Sequence, residues 1–271
     1  MAGEFSLLSL RPGPQICWAA IERQVDRNSI NSQLMAEVEA LLEQVESSPA
    51  QVLVFTGAGS SHFIGGADGI EMMQLDRPGA LAFSRRFQAL LDRMEASPLL
   101  LVAAINGLCF GGGFEFALAC DLRVAAHGAR IGLPEVKVGL IPGGGGTQRL
   151  PRLVGQGLAM EMILGGKLHP GEDAARLGLV HRAVPDGQLE RGVDELLEPI
   201  LRNPGYALSL AKRAVKAAQG NPLPQGLEAE AELFSHCHDQ SFFRDLMVEQ
   251  MRSGALTTSA DQTRTTKGDD K

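Results

Sequence analysis

The chain has 271 residues, 44% hydrophobic and 21% charged, enough apolar material for one large core with a helical annex. A formal net charge of -7 argues against a surface built for nucleic acid, where clustered Lys and Arg neutralise phosphates. No run reaches the roughly 18 uninterrupted apolar residues of a membrane span, the first residues show no basic segment followed by a long apolar one, and a cytoplasmic protein is expected.

"FSLLSLRPGPQICWAAIER" reads as two strands about the turn residues "RPGP". "SINSQLMAEVEALLEQVES" then switches to helical period, with Leu34, Val38, Leu41, Leu42 and Val45 on one face. "AQVLVFTG" is a continuous apolar run, as expected of a strand covered on both sides. The glycine-bearing loop "TGAGSSHFIGGADGIEMM", a helix near 78–95 and a second buried strand, "PLLLVAAIN", follow. "CDLRVAA" and "ARIGL" continue the alternation, which predicts an α/β fold with crossover helices.

From about residue 155, after "GGGGTQRLPRLVG", helical patterns dominate, most clearly "ALSLAKRAVKAA" and "LPQGLEAEAELFSHCHDQSFFRDLMVEQM". The expected organisation is a core over 1–200, a helical region over 201–254 and a polar, disordered tail over 255–271. Cys17, Cys109, Cys120 and Cys237 lack CxxC or zinc-finger spacing and are expected as free, buried thiols in a reducing compartment.

"GGGGTQR" lacks the Lys and Ser/Thr of a phosphate loop, and neither glycine cluster completes G-x-G-x-x-G. The glycines are therefore expected to let backbone approach a ligand, in "IGGAD" and "FGGGFE", each following a buried strand. Two N–H groups converging there would make an oxyanion hole. Glu115 sits in an apolar helix and Glu135 follows a proline in "GLPEVKVG". Singly, Glu115 fits a helix-dipole role and Glu135 an exposed turn; beside two glycine sites, they read as an acid–base pair. Asp68 reads as a cap for a helix beginning near Gly69. His62, His236 and His238 have no nucleophile motif beside them and are given no catalytic role.

"HFIGGADGIEM", "AAINGLCFGGGFEFALACDLRVAA", "GLPEVKVGLIPGGGGTQRLPRLVG" and "AARLGLVHRAVP" together resemble the crotonase (enoyl-CoA hydratase/isomerase) superfamily, over roughly residues 5–220. The resemblance implies a spiral of ββα units with a helical C-terminal region that builds trimers, often paired as hexamers. It implies that the N–H groups of Ala67 and Gly112 hold an acyl-CoA thioester oxygen, and that Glu115 and Glu135 hold the water that adds to a 2-enoyl-CoA. Arg27, Gly65, Gly66, Asp68, Gly69 and Gly111 fall where the family binds CoA and substrate. No metal or cofactor beyond the CoA thioester is implied.

Two motifs depart from the family. "GADGIEM" lacks the lysine of the usual "GADIKE", and "HCHDQSFFRDLM" has His238 where an aromatic is usual. A carrier-protein-bound substrate therefore stays open, as do a Δ3,Δ2-enoyl-CoA isomerase and a dehydratase or decarboxylase of polyketide type. Some family members bind RNA through a lysine-rich first helix; the matching stretch here has Glu37, Glu39, Glu43 and Glu46 and no Lys or Arg. No nucleic-acid partner is expected.

Overall fold

The computed structural model describes residues 5–253, so the tail expected over 255–271 lies outside the described residues. β1 (Leu8–Arg11) and β2 (Ile16–Ile21) pair antiparallel about the proline-rich turn. α1 (Ser32–Glu46) follows, its first turn capped by Asn31, whose side-chain oxygen accepts the Leu34 N–H at 2.8 Å. Its expected apolar face is buried.

From there the chain repeats one step. β3 (Val52–Gly57) leads into β4 (His62–Ile64), β5 (Leu100–Ile105) into β6 (Leu108–Phe110), and β7 (Leu122–Ala126) into β8 (Arg130–Gly132). Helices close each step: α2 (Gly69–Met73) and α3 (Arg77–Glu95), then α4 (Gly112–Ala119), then α5 (Gly146–Val154) and α6 (Gln156–Gly165). β9 (His169–Pro170), α7 (Gly171–Arg176), β10 (Arg182–Val184) and α8 (Leu189–Leu201) complete the layers.

The longer strands form a six-stranded sheet of order β1-β2-β3-β5-β7-β10, parallel from β2 onward. The short ones form a second sheet, β4-β6-β8-β9, in which only β9 runs antiparallel. Each ββα step thus advances both sheets by one strand, which is the α/β spiral that the resemblance implied.

Alternate residues explain the continuous apolar runs. Val52, Val54, Val102, Ala104 and Val124 pack with Val193 and Leu197 of α8. Leu53, Phe55, Leu101, Ala103 and Ile105 join the core formed with α1, α3 and α4. Both faces of the sheet are covered, so neither face needs polar residues.

Residues 56–73, expected as one loop, contain β4 and α2. Strands of three residues are too short for a period of two to register, which also hid β6 and β10.

The chain divides after Ser209 into two compact units, and the strand-to-helix change at 143–155 lies within the first. α9 (Gly205–Ala217) crosses the division; α10 (Leu223–His236) and α11 (Phe242–Arg252) belong to the second. The expected helical run over 223–251 is broken by a 3₁₀ turn, Cys237–Asp239, and by extended backbone at Gln240. Cys17, Cys109 and Cys120 are buried free thiols, while Cys237 is half-buried.

Arg123 fixes the far end of α4. Only 5% exposed, it donates to the carbonyls of Ala117 (3.1 Å), Cys120 (2.8 Å) and Leu179 (2.9 Å). A cation at a helix C-terminus satisfies carbonyls that the helix itself leaves open. Arg123→Met is expected to lower unfolding free energy by about 3 kcal/mol by orphaning the Cys120 and Leu179 carbonyls, Ala117 keeping the Cys120 N–H, measured by urea denaturation.

Candidate active site

β4, β6 and β8 lie side by side and parallel, so the loops leaving their carboxyl ends gather at one place, where α/β sheets commonly bind ligands. The loop after β4 is pinned by the segment before α1. Ile30 N–H donates to Gly66 O and Asp68 N–H to Ile30 O, both at 2.8 Å. In this parallel bridge the neighbours of Ala67 make the bonds, so its own N–H points away from Ile30.

Gly112 lies close to that N–H. A Cβ built on Gly112 would stand 3.4 Å from the Ala67 nitrogen and 3.5 Å from the Gly66 carbonyl carbon. Gly112 also opens α4, where an N–H has no partner within the helix. Neither N–H donates to a backbone carbonyl among the described residues. The turn into α4 needs glycine at 111, whose φ is 55°.

Glu115, in the first turn of α4, is 2% exposed. Its Oε1 accepts the N–H of Gly144 at 2.8 Å and of Gly146 at 2.7 Å. Gly146 opens α5, whose N-cap Gly145 has no side chain to offer. Glu115 therefore caps α5 from a different helix, whereas the sequence suggested a dipole partnership with its own. Burial raises its pKa, and the two N–H groups and the nearby Arg149 offset only part of that rise.

Glu135 begins a 3₁₀ turn, Glu135–Val138. Both its carboxyl oxygens are buried and accept no hydrogen bond among the described residues. A Cβ on Gly111 would lie 3.3 Å from its Oε1, which sets this carboxyl against the N-cap glycine of α4. Burial pushes its pKa up to about 7, with a smaller contribution from the charge of Glu115. The exposed-turn alternative does not hold.

The other residues picked out from sequence surround the β4 loop. Gly65 N–H donates to the carbonyl of Arg27 at 2.9 Å, and the Arg27 side chain is exposed. Asp68 caps α2, accepting the N–H of Ile70 (2.9 Å) and Glu71 (3.2 Å), while its other oxygen pairs with Arg23 at 2.8 Å. Gly69 opens α2, with open space where a Cβ would be. His62 lies near Arg27; burial, then that cation, lower its pKa. In the second unit, His238 stacks edge-on with Phe234 and Phe243, and His236 meets Asp239 at 3.2 Å.

The sequence missed what holds the glycine run. Ser84 Oγ and Gln88 Nε2 of α3 donate to Gly143 O at 2.7 and 2.8 Å, and Phe87 packs so near Gly144 that a Cβ there would lie 2.4 Å from its ring. Ser84, Gln88, Asp92 and Glu95 recur at helical spacing along α3, a polar stripe legible in principle beside the apolar Phe83, Phe87, Leu90, Leu91 and Met94. A cavity of about 520 Å³ lies elsewhere, among turns including Ser60, Asn106 and Asp186. Its carboxylates are engaged, Asp186 by the Gly128 N–H and Glu190 by Arg11.

A family profile described as enoyl-CoA hydratase/isomerase matches residues 13–251. The chain belongs to the enoyl-CoA hydratase/isomerase family. It is 32% identical to the short-chain-enoyl-CoA hydratase of Clostridium acetobutylicum, covering 90% of this chain and 94% of the relative. It is 35% identical to the crotonyl-CoA hydratase of Syntrophomonas wolfei, covering 80% and 84%. A crystal structure of an enoyl-CoA hydratase from Bacillus anthracis superposes with a TM-score of 0.85 at 33% identity, over 91% of this chain and 97% of that one. Among the described residues of this family member, no helix is long and apolar enough to cross a membrane, and no three His, Cys, Asp or Glu side chains gather to hold a metal ion.

The raised pKa of Glu135 has a thermodynamic consequence. The folded state keeps a proton that the unfolded chain releases between the ordinary 4.5 and about 7, so stability falls as pH rises through that window. Glu135→Gln is expected to be the more stable protein above pH 7, by about 2 kcal/mol after allowance for solvent screening, and to lose this advantage below pH 4.5. Urea denaturation of both proteins across pH checks this.

Proposed function

We infer that the protein is an enoyl-CoA hydratase, adding water reversibly across the 2,3 double bond of a 2-enoyl-CoA to give a 3-hydroxyacyl-CoA. The observation that carries this reading is the pair of differently held carboxyls: Glu115 is tied to two N–H groups, and Glu135 is untied with a pKa of about 7. Burial raises the pKa of both carboxyls, but N–H donors offset it at Glu115 and no other residue's donor does so at Glu135, and this difference in surroundings assigns Glu115 as base and Glu135 as acid. Relatives named as hydratases support the same reaction.

In this mechanism the thioester oxygen lies between the N–H groups of Ala67 and Gly112. Water held by the two carboxyls attacks Cβ as Glu115 takes its proton, and the double-bond electrons move toward the thioester carbonyl. The oxygen gains charge as the enolate forms, so preorganised N–H donors stabilise this state more than the substrate. Cα then takes the proton of Glu135, and transfer from Glu115 to Glu135 restores the starting state. Water and enoyl thioester balance the product, and the reaction draws on no further cofactor.

Arg27, exposed beside the loop of Gly65, Gly66, Asp68 and Gly69, is assigned to the CoA end of the substrate, and Gly111 to its acyl end. The exposed Leu227, Phe234, Phe242 and Phe243 of α10 and α11 support self-association, as a trimer or hexamer. We assign the protein to the cytoplasm.

The decisive assay follows hydration of crotonyl-CoA. Glu115→Gln and Glu135→Gln are each expected to lose about 10²- to 10⁴-fold in kcat. Hydration by wild type should decline as pH rises above about 7, where Glu135 loses the proton it donates. Normal hydration by Glu115→Gln would overturn the two-carboxylate mechanism, and a wild type that shifts a 3-enoyl to a 2-enoyl thioester without hydrating crotonyl-CoA would overturn the reading in favour of an isomerase.

A further inference from the structure

The glycine run 143–146 has two sides. Its N–H groups at Gly144 and Gly146 face Glu115, and its carbonyls face polar side chains of α3 and α5. The peptide unit joining Gly143 and Gly144 shows this most simply. Its oxygen accepts from Ser84 and Gln88 at 2.7 and 2.8 Å, while its N–H donates to Glu115 at 2.8 Å. In the next unit, the Gly144 oxygen accepts from Arg149 Nη1 at 2.9 Å.

Arg149 is itself fixed. Its Nη2 meets Asp92 at 2.6 Å and Glu95 at 3.2 Å, and its Nε meets Glu95 at 3.2 Å, so α3 holds the guanidinium from behind. The guanidinium crosses the back of the loop so closely that a Cβ on Gly145 would lie 2.3 Å from Nη1. Gly145 has a φ of 106°, a second reason that only glycine fits there.

We propose that Arg149, with Ser84 and Gln88, is a positioning residue for catalysis: it fixes the glycine peptides so that their N–H groups hold Glu115 against the attacking water. The proposal rests on the hydratase reading for the role of Glu115. Arg149 touches neither the water nor the thioester; it acts through the loop. The charged groups bearing on Glu115 are Arg149 from α5 and Glu135 from the 3₁₀ turn, with Asp92 and Glu95 of α3 engaged by Arg149. Removing the cation leaves Glu115 less favoured as a carboxylate.

The test compares wild type, Arg149→Gln, Arg149→Lys and the double variant Ser84→Ala/Gln88→Ala, with crotonyl-CoA as substrate. Arg149→Gln is expected to lose about 10- to 100-fold in kcat with KM changed less than about twofold, the mark of lost geometry at the reacting atoms. Its acid limb, where Glu115 is protonated, should move to higher pH. Arg149→Lys should bring that limb back without restoring the full rate, because an ammonium keeps the charge but not the planar fork. The double variant leaves Arg149 in place and should still lower kcat.

A second readout is independent of turnover. With glycines labelled with 15N, the Gly144 and Gly146 amide resonances should titrate with Glu115 in wild type and shift in Arg149→Gln. A lowered melting temperature with an unmoved acid limb, unmoved glycine resonances and kcat within about twofold of wild type would overturn the proposal. If wild type fails to hydrate crotonyl-CoA, the hydratase reading fails, and the glycine resonances alone decide the clamp: shifted supports it, unshifted overturns it.

Discussion

The Glu115 carboxylate stands in the interior with Gly144 and Gly146 donating N–H groups to one of its oxygens, and much of the surrounding architecture serves that contact. A charge removed from water tends to be neutralised unless donors replace its hydration. Here the replacements come from a separate loop, so α4 and α5 must be held in register. Residues 144–146 come too close to Phe87, Arg149 and Leu133 for side chains, and the apolar face of α3 supports them. Arg123 secures the opposite end of α4, so the helix bearing Glu115 is fixed at both termini.

The second carboxyl is treated in the opposite way. Glu135 is partly buried with no hydrogen-bond donor supplied by another described residue, and burial raises its pKa to about 7. Two chemically identical groups thereby sit in different surroundings, which is the basis of the proposed division between base and acid. The arrangement stores instability at the site, as expected where a protein retains unsatisfied polar groups for chemistry.

Much of this was legible in the chain. The apolar runs Val52–Gly57 and Leu100–Ile105 are strands because helices cover both faces, and the face of α1 followed from its period. Ala67, Gly112, Glu115 and Glu135 were reachable through motifs, and the structure brings them together. The short second sheet was not legible: β4 and β6 owe their existence to pairing with strands distant in sequence, which no local pattern encodes. The burial of Glu135 was equally hidden, since a carboxylate after Pro134 has the local look of a surface turn. What holds glycines 143–146 was hidden as well, since their partners Ser84 and Gln88 on α3 lie some 50 to 60 positions earlier in the chain.

Because each ββα step places one loop at the same edge of the small sheet, the site is an assembly of three successive turns of one spiral. The first turn contributes Ala67, the second Gly112 and Glu115, and the third Glu135 and the glycine run. The loops bearing the Ala67 and Gly112 N–H groups leave the paired strands β4 and β6, and the third turn also braces the second, since Gly111 N–H donates to Gly132 O of β8 at 3.0 Å. On the proposed reading, such modularity would let the two N–H donors persist while the third loop changes its acid, its length or its lining, so that new chemistry could arise by rewriting a single turn of the spiral.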